Sequence, residues 1–173
     1  NKLIAQWNNE KLWIEGWGEN SLRVRVTKQP SMHTEDFALD EPVHSHAAVT
    51  IGEDGAVIQN GKITAEISKA GKIIFKNQKG ETILEEFTRN RKDIHAFCSA
   101  LDIDAREFRP ILGGDFQLVA RFESVADEKM YGMGQYQQPI LNIKGCELEL
   151  AHRNSQASVP FMLSSLGYGF LWN

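Results

Sequence analysis

Three histidines and two carboxylates lie close together near the start of the chain: His33, Glu35, Asp36, His44 and His46. Imidazole and carboxylate groups are ligands of zinc and other divalent metals, so this cluster could in principle form a metal site. Its spacing matches no established zinc pattern, and the surrounding KQPSMHTEDFALDEPVHSH is typical of a long polar loop. We therefore expect solvated loop residues here, with no metal ion and no cofactor.

Gly132 and Gly134 form a short glycine-rich stretch, GMGQ, of the kind that can approach a phosphate closely. A dinucleotide-binding fingerprint would need a third glycine where Gln137 stands, followed by a helix. The sequence also contains no P-loop, no GxSxG elbow and no HExxH. Carboxylates are plentiful, but no local arrangement marks two of them as an acid/base pair, so spacing alone predicts no catalytic residue.

Tryptophan and tyrosine side chains could stack on sugar rings, because an aromatic face suits the apolar C–H face of a pyranose. The candidates are Trp7, Trp13, Trp17, Tyr131, Tyr136, Tyr168 and Trp172. Most of them are expected in the core or at the edge of the fold. Taken alone, these residues favour a binding or interaction module.

The elements that position these residues are predicted to be β-strands, because the dominant hydrophobic period is two. Leu12 and Ile14 alternate with Trp13 and Glu15, and residues 22–27 alternate in the same way after the turn-like GWGENS. Further strands are predicted over 47–51, 57–58, 62–68, 72–76, 82–87, 107–112 and 116–122. Residues 28–46 and 123–138 are interpreted as loops, and 88–103 as a loop or one helical turn. Short strands joined by such turns are typical of a sandwich or barrel.

Composition limits the partners that the chain is expected to have. The 173 residues favour one domain, and 42% hydrophobic with 24% charged residues is ordinary for a globular protein. A net charge of −4 gives no electrostatic reason to expect nucleic acid or an anionic membrane as a partner. Cys98 and Cys146 are too few for a disulfide framework. The first residues lack the apolar core of a signal peptide, so a cytoplasmic protein is expected.

Four segments of the last third resemble, in the same order, motifs of glycoside hydrolase family 31. They are ESVADEKMYGMGQ (123–135), LNIKG (141–145), RNSQ followed by SVPF (153–161), and SSLGYGFLWN (164–173). The stretch GKITAEISKAGKIIFKNQKGETIL (61–84) is also similar to the N-terminal region of that family. Each segment alone is a weak signal, whereas their order together is specific.

The resemblance implies an all-β fold, the galactose-mutarotase-like β-sandwich (supersandwich) that precedes the catalytic barrel in this family, with or without its last strands. Residues 1–173 are then expected to form one N-terminal domain, a fragment of a larger multidomain enzyme. The whole enzyme would be a retaining α-glycosidase, whose two carboxyl groups lie about 5–5.5 Å apart on the (β/α)8 barrel. The chain itself is expected to contribute no catalytic residue and to be inactive alone.

The resemblance also implies a site. A loop of this domain reaches over the barrel mouth in the family, and the matching positions are Arg153, Asn154, Ser155 and Gln156. Arg153, Asn154 and Gln156 are the predicted substrate-binding residues, because a guanidinium and two amides offer donors and acceptors to sugar hydroxyls. Some relatives carry an acid where Asn154 stands. With Gln135 and Gln138 nearby, the motif is most similar to α-xylosidase-like or α-glucosidase members.

The expected partners are the C-terminal barrel and an oligosaccharide substrate. Two other function classes stay open: an independent carbohydrate-binding module, and a standalone sugar epimerase on the same fold, with His95 and His152 as candidate acid and base. The apolar segment 170–172 is predicted to leave a bare strand edge, which invites pairing with another chain. A homo-oligomer formed through that edge is therefore a further alternative.

Overall fold

The computed structural model describes residues 1–36, 39, 44–91 and 99–173, and within them it contains strands and no helix. The chain divides into two compact units, Asn1–Glu123 and Ser124–Asn173, which are described separately. The all-β fold predicted from the sequence is confirmed. The strands are β1 (Lys2–Trp7), β2 (Glu10–Trp17), β3 (Ser21–Thr27), β4 (Ala48–Ile51), β5 (Gly55–Asn60), β6 (Ile63–Ser68), β7 (Ile73–Lys76), β8 (Thr82–Glu85), β9 (Arg106–Pro110), β10 (Phe116–Ala120), β11 (Met130–Gln135), β12 (Ala157–Ser164) and β13 (Gly169–Leu171).

The first sheet of the first unit is the antiparallel meander β1-β2-β3. Leu12 and Ile14 on β2 are completely buried, as their alternation predicts. The opposite face is only partly solvated, because Arg25 forms hydrogen bonds of 2.7 and 2.9 Å to the Glu15 carboxylate and lies over the ring of Trp13. Val24, which the alternation places on the buried side, is more than one-third exposed.

The second sheet of the first unit follows the chain order β4-β5-β6-β7-β8, with every neighbouring pair antiparallel. Its inward side chains join those of the first sheet in one core, so two sheets pack around a shared apolar layer. The buried members of this core are Leu3, Leu12, Ile14, Ala47, Ile58, Ala65, Ile67 and Ile73. A period of two on both sheets therefore produces a sandwich arrangement within this unit.

The remainder of the first unit is the hairpin β9-β10 with its flanking segments. The turn at Gly113 and Gly114 joins the two strands, as the sequence predicts, and both glycines have positive φ angles. Arg89 and Ile103 form an isolated antiparallel bridge within the region whose structure the sequence left open. Residues 37, 38, 40–43 and 92–98, including His95 and Cys98, lie outside the described residues.

The second unit is built on the antiparallel sheet β11-β12-β13. The interpretation of 123–138 as a loop is wrong over 130–135, which forms β11. Gly132 and Gly134 hide this strand from a periodicity search, because both have positive φ and their missing side chains interrupt the apolar pattern. The register also shifts between these two glycines, because Gly132 pairs with Met162 and Gly134 with Ser158, so β12 contains two extra residues opposite Met133.

The described residues include no helix that is long and apolar enough to cross a membrane.

Candidate functional site

The predicted substrate-binding residues lie together on one tight turn that enters β12. The backbone N–H of Gln156 donates to the carbonyl of Arg153 at 3.0 Å, which closes a four-residue turn. Ser155 occupies its third position with a φ of 65°, a left-handed conformation that residues with a side chain rarely adopt. Arg153, Asn154 and Ser155 are exposed and Gln156 is half-buried. The turn therefore projects its polar side chains outward from a constrained backbone.

Hydrogen bonds at the base of this turn fix its position relative to the sheet. The Ser158 hydroxyl donates to the carbonyl of Ala151 at 3.0 Å and is 2.9 Å from the Tyr136 hydroxyl. The Ser158 backbone N–H donates to Nδ1 of His152 at 3.4 Å. Ser158 thus connects the two ends of the loop, and Tyr136, which follows β11, attaches that connection to the neighbouring strand.

The side chains of the turn differ in whether they already bind other protein groups. The Arg153 guanidinium pairs with the Glu149 carboxylate four residues earlier, and both groups are largely exposed. The structure records no protein hydrogen bond for the side-chain amides of Asn154 and Gln156 within the described part of the chain. Two amides and one guanidinium on a fixed turn can donate to and accept from the hydroxyls of a sugar.

The tryptophans considered as sugar platforms are covered by cations in the first unit. The Lys2 ammonium lies 3.6 Å from the ring centroid of Trp13. Arg23 lies over Trp17 at 5.1 Å and Arg106 over Trp7 at 5.2 Å. Because each ring already has a cation–π partner, these faces are not open stacking surfaces.

The candidate metal ligands near His33 are not assembled into a site where the structure describes them. Asp36 forms an ion pair of 2.5 Å with Arg23, so its carboxylate is already engaged. Across residues 1–36, 39, 44–91 and 99–173, no group of three or more His, Cys, Asp or Glu side chains could hold a metal ion.

A buried ion cluster in the first unit was missed by the sequence analysis. Arg106 Nε donates to Glu10 at 2.7 Å, one terminal nitrogen donates to Glu86, and the other donates to the Gly71 carbonyl at 2.8 Å. Each of the three charged side chains is at most 7% exposed. Burial raises the pKa of the Glu86 carboxyl, while the charge and hydrogen bond of Arg106 and the N–H of Ile73 oppose that shift.

This cluster brings two carboxylates together without forming a glycosidase pair. A retaining pair must face a sugar across a gap of about 5–5.5 Å, whereas one guanidinium fills the space between Glu10 and Glu86. Glu10 and Arg106 are 96 positions apart in the chain, so no local motif could have revealed the contact. The ion cluster connects β2, β9 and the residue that follows β8, so its role is to hold the fold together.

Residues of the family-like motifs meet in a second buried cluster, within the second unit. The Glu128 carboxylate accepts hydrogen bonds from the Ser164 hydroxyl and from the Tyr168 hydroxyl, the latter at 2.8 Å. Burial raises the pKa of Tyr168, and the hydrogen bond to Glu128 and its charge raise it further. Asn142 accepts from the backbone N–H of Met130 at 2.9 Å. These motif residues therefore hold the sheet and its loops together.

A small hollow of about 270 Å³ in the second unit is lined by apolar side chains, among them Met130, Met133, Ile143, Leu148 and Met162. Sugar sites need several polar groups that converge on the ligand. The side chains that line this hollow offer only the Cys146 thiol, so it is a less suitable sugar site than the turn at Arg153.

Comparison with known proteins identifies longer relatives that match nearly the whole chain. An uncharacterized family 31 glucosidase of Pseudescherichia vulneris is 48% identical over 179 aligned residues, which cover 97% of this chain and 34% of the relative. Alpha-xylosidase A of Aspergillus niger is 24% identical over 99% of this chain and 25% of its own length. The chain thus spans about a third or less of these relatives. No family model matches it.

Solved structures give the same result. The crystal structure of a family 31 α-xylosidase from a soil metagenome, complexed with xylose, is 51% identical with a TM-score of 0.94, over 99% of this chain and 27% of that one. The α-xylosidase of Xanthomonas citri is 25% identical with a TM-score of 0.81, over 99% of this chain and 18% of that one. The resemblance found in the sequence is confirmed: over nearly its whole length this all-β chain is similar to one part of longer glycoside hydrolase family 31 enzymes.

Proposed function

We propose that this chain is the non-catalytic N-terminal domain of a retaining α-glycosidase, and that residues 1–173 form that one domain. In this proposal the sandwich braces the catalytic barrel, and the turn at Arg153, Asn154 and Gln156 forms part of the subsite for the leaving-group sugar. The substrate is an oligosaccharide or glycoside with an α-linked xylose or glucose. The relatives described as xylosidases and as a glucosidase support that choice.

The observation that carries the proposal is the constrained turn with two unengaged amides. A left-handed residue is common at the third position of a tight turn, so Ser155 fixes the direction in which the turn presents its side chains, and the feature that points to a ligand is the pair of unengaged amides. Backbone conformations of this kind cost about 1–3 kcal/mol and persist where the surrounding structure holds them, often at ligand sites. Here the Ser158 and Tyr136 hydroxyls supply that support.

The proposed role predicts how Asn154→Ala would change kinetics in a longer family 31 enzyme that contains this chain. Loss of one hydrogen bond to a sugar hydroxyl should reduce kcat/KM for a disaccharide by about 1–3 kcal/mol of transition-state stabilisation. An aryl glycoside, which has no sugar in the leaving group, should react at an unchanged rate. Gln117→Ala, on an exposed position of β10, is the matched control. Equal effects of Asn154→Ala on both substrates would refute the subsite role.

The alternatives kept from the sequence are less well supported. An independent carbohydrate-binding module needs open aromatic faces. Trp7, Trp13 and Trp17 each have a cation over the ring, which leaves Trp172, at 44% exposure, as the most open tryptophan. Calorimetric titration with xylo- and gluco-oligosaccharides tests it, because sub-millimolar binding by the isolated chain would favour the module. For the epimerase, His95 lies outside the described residues, and His152 accepts a hydrogen bond from Ser158. Cytoplasmic location and homo-oligomerisation stay predictions.

A further inference from the structure

One face of the second unit's sheet is apolar and exposed. On β12, Val159, Phe161 and Leu163 point to the same side, because side chains alternate along a strand. Cross-strand pairing adds Leu171 of β13 opposite Phe161, and Tyr131 of β11 opposite Leu163. We name these five residues the outer face. Val159, Leu163 and Leu171 are each about half exposed, at 49%, 51% and 47%.

The sequence of β12 is that of a strand buried on both sides. Residues 159–163 read VPFML, with no polar residue on either face. Strands with one solvated face alternate apolar and polar residues, whereas uninterrupted apolar runs occur in strands covered on both faces. Met162 on the opposite face is already buried, at 9% exposure. The outer face therefore lacks the cover that its sequence predicts.

The outer face is also shaped as a continuous surface. Gly169 leaves room for the Phe161 ring to lie across β13, since a Cβ atom placed on Gly169 would be 2.8 Å from the tip of that ring. The ring thus bridges β12 and β13 and closes the gap between Leu163 and Leu171. Contiguous apolar patches on protein surfaces mark sites of protein contact.

The length of the relatives indicates what covers this face. The chain accounts for 34% of the Pseudescherichia vulneris relative and 27% of the soil α-xylosidase, so most of each polypeptide lies outside the matched part. We propose that the outer face docks against the remaining polypeptide of the longer enzyme, through an apolar partner surface. The inference rests on the proposed function, in which the chain is one domain of a larger glycosidase, and it assigns the surface responsible.

The test uses a longer polypeptide in which this chain replaces the matching third of the Pseudescherichia vulneris relative. Leu163→Cys and the control Leu112→Cys are labelled with a maleimide in the native protein, and each site is followed by peptide mass spectrometry. Leu112 is a fully exposed turn residue. Docking predicts labelling at least about tenfold slower at position 163 than at position 112, because a docked site reacts only after local opening. Equal rates would overturn the proposal.

A second measurement shows whether the outer face is covered by the rest of the same polypeptide or by a second copy. Leu163→Glu should lower the melting temperature of the longer polypeptide by about 5 °C or more, whereas Leu112→Glu should leave it unchanged. If protection of position 163 disappears on dilution and sedimentation shows a dimer, a second copy covers the face and the proposal fails. The disaccharide kinetics of Asn154→Ala are independent of these readouts. Protection with unchanged Asn154→Ala kinetics would retain the docking surface and refute only the subsite role.

Discussion

Replacement of Arg106 by methionine is the sharpest test of the structure in the first unit. The change removes three hydrogen bonds, to Glu10, Glu86 and the Gly71 carbonyl, and keeps most of the apolar volume. It leaves Glu10 and Glu86 buried without their counter-ion, and removal of one partner of a buried ion pair costs about 3–5 kcal/mol. For a unit of this size the expected fall in melting temperature is about 10 °C or more at pH 7.

The pH dependence of this loss follows from the sign of the pKa shift. Burial raises the pKa of Glu86, and the nearby Glu10 charge adds to that effect. Without Arg106 nothing of comparable strength opposes it, so the folded-state pKa rises further above the unfolded value of about 4.3. A group with a raised pKa stabilises the fold below its unfolded pKa and loses that contribution as pH rises through the folded pKa. The deficit of Arg106→Met should therefore shrink from pH 7 towards pH 4.

Urea unfolding followed by tryptophan fluorescence measures both effects. Arg109→Met is the matched control, because Arg109 pairs with Glu107 on the exposed hairpin and such pairs contribute about 0–1 kcal/mol. Glu86→Gln in the Arg106→Met background should recover part of the loss, since it removes one uncompensated charge. A loss below about 1 kcal/mol at pH 7 would contradict the deduced burial of the cluster. A deficit that grew on acidification would contradict the reasoning on pKa.

Three further predictions concern the rest of the chain. Tyr168→Phe should lower the unfolding free energy by about 1.5 kcal/mol through loss of the hydrogen bond to Glu128. The folded-state pKa of Tyr168 is raised, so the difference from wild type should shrink above about pH 10, where the unfolded tyrosine ionises. Ser155→Val should cost about 1–2 kcal/mol because of the left-handed φ angle, and Ser155→Gly should not; equal unfolding free energies would refute that conformation. Leu12→Ala should cost about 2–5 kcal/mol by leaving a core cavity, against about 0.5 kcal/mol or less for the fully exposed Leu112→Ala; similar losses would place Leu12 outside the core.

The turn that precedes β12 and the outer face of β12 have separate proposed roles. These roles can be tested separately because the two features lie at different positions along the chain. The turn at Asn154 precedes the strand, whereas Phe161 and Leu163 lie further along its outer face. Substrate kinetics report on the first and side-chain protection on the second. A single polypeptide carrying both sets of variants can therefore decide each proposal independently.

Local patterns determined the strands. A period of two identified β2 and β6, and Leu12, Ile14, Ala65 and Ile67 are buried as that alternation predicts. The order of the short motifs revealed the resemblance to glycoside hydrolase family 31, and the motif RNSQ located the candidate turn. These features depend on neighbouring residues, so one sequence contains enough information to predict them. The strand β11 was missed because its glycines carry no side chains through which a period could be read.

Only the tertiary structure determined which distant side chains meet. Arg106 reaches Glu10 across 96 positions, and Glu128 reaches Tyr168 across 40, so neither cluster has a local signature. A buried charge or hydroxyl without a partner costs free energy. The fold therefore pairs these groups, whichever strands supply the partners. The left-handed Ser155 was likewise invisible in the sequence, because its φ angle depends on the hydrogen bonds at the base of the turn. Sequence periodicity specifies the strands, and packing specifies the polar contacts between them.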